Sequence, residues 1–166
     1  MRTTRDLQIL CVLTTMLLPL FGCGEKLPPG MPTPVRCEIF VTQDGNPLEG
    51  AMVRLLPMDG GTWVAIGSTD ASGKATVYTM DRYKGAVPGK YKVAVNKSET
   101  EEVPPAGSEA YRRIESRGGS LDSFNLVEEQ YGDAQTTPLE IEVKRGMPTH
   151  MVDVGEAVRV KIDVGR

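Results

Sequence analysis

The chain has 166 residues, with 18 glycines, 12 prolines, one tryptophan, five tyrosines and three phenylalanines. That length suits one domain plus a targeting segment, and the composition favours short extended segments joined by turns over long helices. The formal charge is −3, about −4 once residues 1–22 are set aside, and no basic stripe interleaved with aromatics is present, which excludes nucleic acid as a partner because counterion release has no source.

At the N-terminus, Arg2 and Arg5 precede an apolar run from Leu7 to Phe21, the profile of an export signal over residues 1–22. The run is about fifteen residues long, short of the roughly twenty a helix needs to cross a bilayer core. Leu20-Phe21-Gly22-Cys23 resembles the bacterial lipobox, in which small residues before a cysteine admit the peptide to the lipoprotein signal peptidase. Gly22 and Cys23 match that pattern; Phe21 is bulkier than its place usually holds. The resemblance implies that Cys23 becomes the first mature residue and carries the lipid, that Cys11 is discarded, and that the protein is a membrane-anchored lipoprotein of the cell envelope. Two or more acyl chains hold such a protein durably, where one holds it marginally. Gly24 and Glu25 follow, with no Asp where inner-membrane retention is read, so the outer membrane is favoured over the inner. Residues 23–34, with Pro28, Pro29, Pro32 and Pro34, read as an extended tether that holds the domain off the bilayer.

From residue 35 the pattern changes to period two. Val35, Cys37, Ile39 and Val41 alternate with Arg36, Glu38, Phe40 and Thr42, the mark of a strand with one buried face. Asp44-Gly45-Asn46-Pro47 is a tight turn. A second strand covers Ala51 to Leu56 and ends before Pro57, and after Asp59-Gly60-Gly61 a third covers Thr62 to Gly67 and contains Trp63. In the turn at Thr69-Asp70-Ala71-Ser72-Gly73, the Asp70 carboxylate is expected to accept backbone N–H bonds while Gly73 takes a conformation costly for other residues. Further strands are expected at Ala75 to Met80, at Tyr91 to Asn96 after Pro88-Gly89, at Leu139 to Lys144, at Met151 to Val154 and at Val158 to Val164. The last places Val158, Val160, Ile162 and Val164 on one face. Seven or eight short antiparallel strands in two packed sheets satisfy this pattern, an all-β sandwich.

The order Asp44-Gly45-Asn46-Pro47-Leu48-Glu49-Gly50-Ala51-Met52-Val53, then Thr69-Asp70-Ala71-Ser72-Gly73-Lys74-Ala75, then Pro88-Gly89-Lys90-Tyr91-Lys92-Val93 resembles the carboxypeptidase regulatory-like domain, a transthyretin-like (prealbumin-like) β-sandwich. The resemblance spans residues 35–96 well and the C-terminal strands loosely. Its motifs are turn motifs, which speak to fold rather than activity, and Tyr91 is accordingly expected in the core. The domain as a whole is expected over residues 35–166.

Residues 97–137 separate two strands by about forty positions, well beyond the ordinary loop of up to about 15 residues, and are read as an insertion. Within it Ser108 to Arg117 predicts a short helix with Ser108 as N-cap and Gly118 as its stop, and Leu126 to Tyr131 a further turn. Glu99, Glu101 and Glu102 make an acidic patch; Arg112, Arg113 and Arg117 make a basic one. A partner-binding flap and a solvated loop both fit.

Beyond residue 22 the chain has one histidine, His150, and two cysteines, and it lacks the HExxH, GxSxG, CxxC and glycine-rich phosphate motifs. With Cys23 acylated, Cys37 and His150 are too few to hold zinc. By strand parity Cys37 points inward as a buried structural thiol; His150 is expected at the surface without a catalytic role. Adjacent acids such as Glu128 and Glu129 do not establish the opposed carboxylate pair of a glycosidase, and no EF-hand spacing is present. The enzymes of the transthyretin fold that hydrolyse a urate-pathway intermediate carry several histidines and end Tyr-Arg-Gly-Ser, where this chain ends Asp163-Val164-Gly165-Arg166. These readings predict no enzyme, no cofactor and no metal, but a non-catalytic envelope module that presents a binding or assembly surface. Its partners would be the membrane, through the lipid on Cys23, and an envelope protein. The alternative is a module that binds envelope polysaccharide, with an enzyme of unrecognised type as the third reading. Trp63, Tyr78 and Tyr83 could expose rings for stacking on sugars, and Tyr111, Arg112 and Arg113 are candidate contacts on the insertion.

Overall fold

The computed structural model describes residues 26–162. The signal segment and Cys23 lie outside the described residues, as do Asp163 and Val164 of the last expected strand. The fold is mostly β, with antiparallel pairing in every sheet. One sheet is built on β1 (Glu38–Gln43), which pairs antiparallel with β2 (Asn46–Pro47) and β5 (Lys74–Thr76) and parallel with β12 (Thr149–Asp153). The larger sheet runs in the order β11 (Glu140–Val143), β8 (Gly89–Asn96), β3 (Met52–Pro57), β4 (Ala65–Ser68), β6 (Tyr78–Thr79) and β7 (Tyr83–Lys84), antiparallel throughout. Alternation sends Ile39 and Val41 of β1, Val53 and Leu55 of β3, and Val93 and Val95 of β8 into one shared core with Cys37, Tyr91 and Val152. Removing these side chains from water is the main source of stability, at about 1.5–3 kcal/mol for each fully buried aliphatic side chain.

The turns behave as their residues dictate. Asp44 and Gly45 both take positive φ, 50° and 72°, which closes the tight link from β1 to β2. The Asp70 carboxylate accepts from the backbone N–H groups of Ser72 (2.9 Å) and Lys74 (3.1 Å), and these bonds, with the Ser72 hydroxyl foremost, hold its carboxyl below the usual range. Gly73 is required twice over: its φ is +74°, and an added Cβ would stand 2.6 Å from the Val41 carbonyl oxygen. Tyr91 is buried, and its hydroxyl donates to the Val87 carbonyl at 2.7 Å.

Several strand expectations are corrected. Sheet pairing is not antiparallel throughout, because β12 arrives at β1 from the far end of the chain and no hairpin fixes its direction. The expected strand at Ala75 to Met80 divides at Val77, fully buried, where the chain leaves the first sheet (β5) and enters the second (β6). Trp63 precedes β4 rather than lying in it, since the Asp59 carboxylate caps the Gly61 N–H at 2.9 Å and Val64 N–H turns back to the Thr62 carbonyl, which delays the strand. β3 runs through Pro57, and β7 carries no period-two signal because it is two residues long. Of the one-faced strand expected at Val158 to Val164, the described residues form β13 (Val160–Lys161), with Val160 58% exposed; it joins the insertion instead of the core.

The expected extended tether is corrected as well. From Lys26 onward the segment packs on the domain. Met31 N–H bonds back to the Pro28 carbonyl, and Met31 is buried in a second cluster with Tyr83 and Val87, against which Leu27 and Trp63 also pack. The Tyr83 hydroxyl donates to the Lys26 carbonyl, and Val35 bridges to Ala86 through reciprocal backbone bonds of 2.8 and 3.0 Å. Prolines set the local shape, but apolar side chains between them decide that the segment is bound.

Candidate functional site

The insertion is ordered by a small sheet of its own. β9 (Ser98–Thr100) continues from β8, pairs with β10 (Ser123–Asn125), and β10 in turn pairs with β13. The expected helix forms as α1 (Glu109–Ser116): the Ser108 side chain accepts the Tyr111 N–H at 3.0 Å, and Gly118 at φ +82° ends it. Ile114 is its one buried residue. A second short helix, α2 (Glu129–Gly132), packs on β8. There the Arg54 guanidinium donates to the Gly132 carbonyl (2.8 Å) and to Asn96 Oδ1 (3.1 Å), which fixes the return of the insertion across the sheet. Gln43, at the end of β1 and 9% exposed, gathers two further segments: its amide donates to the Leu126 carbonyl at 2.8 Å and the Glu156 carbonyl at 3.4 Å.

This module carries a cluster of ion pairs. Asp122 takes Lys161 Nζ at 2.9 Å and Arg117 Nη1 at 3.2 Å. The Lys161 hydrogen bond, with the charges of Lys161 and Arg117, holds the Asp122 carboxyl below the usual carboxylate range. The Arg159 guanidinium lies 3.8 Å from the centre of the Phe124 ring and 3.8 Å from Glu99. Beside α1 a groove of about 360 Å³ runs between Glu101, Glu102 and Pro104 on one wall and Ala110, Arg113, Ile114 and Arg117 on the other. It brings the acidic and basic patches of the sequence face to face. The groove is open and offers polar contacts of both signs of charge.

The candidate residues fall into three places. Arg113 lines the groove, while exposed Arg112 and half-exposed Tyr111 share α1 with it. Trp63 and Tyr83 lie together in the cluster that binds the N-terminal segment. Tyr83 is 8% exposed and offers no free face for stacking; Tyr78 is exposed on β6. Asp122, Phe124, Arg159 and Lys161 escape sequence reasoning, since strands of two or three residues carry no readable period.

The remaining chemistry is sparse. Cys37 is a free thiol, 1% exposed, and burial pushes it up to about 12, so it is held protonated and unreactive. His150 corrects the expectation of a surface residue: it points inward from β12, and its Nε2 is shielded without a hydrogen-bond partner. Burial lowers its basicity, opposed by its hydrogen bond to the Met147 carbonyl. Among the described residues no three His, Cys, Asp or Glu side chains converge to hold a metal ion, and no helix is long and apolar enough to cross a membrane.

No family model, curated protein or solved structure matches this chain.

Proposed function

We propose that the protein is a non-catalytic lipoprotein of the bacterial envelope, anchored through acylated Cys23, most naturally in the outer membrane. Its carboxypeptidase regulatory-like, transthyretin-like sandwich presents the β9–β10–β13 and α1 module to another envelope protein. The fold reading is supported by two sheets around one core and by family-type turn motifs that fall between strands at Asp44-Gly45 and Asp70 to Gly73.

The observation that carries the functional reading is polarity along the large sheet. Pro57 of β3 pairs with Tyr91, near the end where the N-terminal segment is bound, and Met52 pairs with Asn96, where the insertion departs. Five steps along β8, from Tyr91 to Asn96, separate those ends by about 17 Å at roughly 3.4 Å per step. An anchor at one end therefore turns the polar module toward the surroundings.

In cells, photo-crosslinking groups placed at Arg112 and, for comparison, at Met58 test this reading, together with fractionation of the Cys23→Ala variant. The expected result is one dominant protein captured from Arg112 and not from Met58, and a variant that leaves the membrane fraction. Capture of polysaccharide without protein at Arg112, or a variant that stays in the membrane fraction, would overturn it.

A further inference from the structure

We infer that the end of the domain formed by the bound N-terminal segment and the turns around Trp63 lies against the lipid bilayer, with Trp63 at the membrane interface. The inference rests on acylation of Cys23 and goes beyond it, because an anchor alone leaves the distance and orientation of the domain open.

The distance is fixed by where the chain becomes bound. Lys26 is held through its carbonyl by Tyr83, and Leu27 packs beside Trp63 on the Met31–Tyr83–Val87 cluster. Three virtual bonds of 3.8 Å join Cys23 to Lys26, a reach of at most about 11 Å, where a free tether of twelve residues would allow roughly 40 Å. Whatever path those links take, the acylated residue holds this end of the sandwich at the level of the headgroups.

The orientation follows from the topology. β3 ends, β4 and β8 begin, and the β6–β7 turn closes at the same end of the sheet, since Leu55 pairs with Ala65, Pro57 with Tyr91 and Ala65 with Thr79. That end exposes Met58 (45%) and Met80 (54%) around half-buried Trp63, and Met80 N–H bonds to the Val64 carbonyl. Met80 and Asp81 both take positive φ, 55° and 56°, a conformation that asparagine or glycine would adopt at lower cost. An exposed methionine held there keeps an apolar side chain at the tip of the turn. Tryptophan with a ring half in apolar surroundings is the residue most at home at the boundary of headgroup and acyl chain.

Trp63 is the only tryptophan, so its emission reports this position alone. The full-length acylated protein, its mass measured, is floated with vesicles of phosphatidylethanolamine and phosphatidylglycerol carrying bromine near the headgroup end of the acyl chains. A second sample carries Tyr111→Trp in a Trp63→Phe background and reports the far end. Bromolipid is expected to quench the Trp63 emission by more than about half and to leave the Tyr111→Trp reporter unchanged. Acylated protein that floats with Trp63 unquenched, or with both reporters quenched alike, overturns the inference and leaves the anchor reading intact. A mass without acyl chains takes away the anchor reading and this inference with it.

Discussion

The Tyr83 hydroxyl donates a 3.1 Å hydrogen bond to the Lys26 carbonyl, which ties the N-terminal segment to β7 across 57 positions of sequence. Removing the hydroxyl alone (Tyr83→Phe) is expected to cost about 0.5–1.5 kcal/mol, and removing the ring (Tyr83→Ala) about 3 kcal/mol, because Met31 and Val87 lose their packing partner. Urea unfolding measures both. Trypsin should cleave after Lys26 faster in each variant than in the native protein, and equal cleavage would mean that the segment is held by something else.

Gly85 takes φ +102°, and an added Cβ would run into the Val35 carbonyl oxygen. Gly85→Ala is therefore expected to destabilise the fold by about 2–3 kcal/mol and to break the bridge from Val35 to Ala86. Gly107→Ala, at a similar φ but with open space around it, should cost about 1–2 kcal/mol. Thermal unfolding of the two variants separates collision from backbone strain.

Gln43→Ala leaves the Leu126 and Glu156 carbonyls without their shared donor. A loss of about 1–3 kcal/mol is expected, and the effect should concentrate in the insertion. Hydrogen exchange should rise at Ser123–Asn125, in β10, more than at Val93 and Val95 in the core; a uniform rise would show that the insertion is not an independent unit.

His150 sets a pH dependence of its own. Its basicity in the folded protein lies below the ordinary value of 6.5, so the unfolded chain binds the proton more readily and stability falls as pH falls. The stabilisation is complete above about 6.5 and declines below that value toward the folded-state value. No other histidine is present. Denaturation midpoints between pH 7.5 and 5.5 should therefore drop in the native protein and stay level in His150→Leu; parallel slopes would assign the effect elsewhere.

Met80→Asn relieves a left-handed conformation that costs methionine about 1 kcal/mol or more. The variant is expected to be more stable by about 0.5–1 kcal/mol while weakening the vesicle contact of Trp63. Thermal unfolding in solution, paired with bromolipid quenching, checks the two opposed directions.

Much of the fold was legible locally. Period-two runs located β1, β3, β8 and β11 because each has one dry face and a side chain every second position alternates with it. The Asp-Gly and Asp70 to Gly73 turns were readable because few residues accept positive φ, and the Ser108 cap because an orphan N–H group needs an acceptor close in sequence. The candidate site was less legible. Arg113 and Arg117 stood out as charge, yet their meeting with Glu101 and Glu102 depends on where α1 settles, and Lys161 reaches Asp122 from 39 positions away.

The sequence by itself determined the period-two strands β1, β3, β8 and β11, the tight turns, the inward side of Cys37 and the helix in the insertion, all of which are read from patterns among residues within a few positions of one another. Tertiary structure alone decided the rest: that β12 joins β1 in parallel, that Val77 carries the chain from one sheet to the other, that β13 leaves the core for the insertion, and that the proline-rich segment is bound rather than extended. Each of those outcomes depends on which distant apolar surface or unpaired strand edge is available to receive the segment. A short apolar stretch states only that it will bury somewhere, and the Met31, Tyr83 and Val87 cluster decides where.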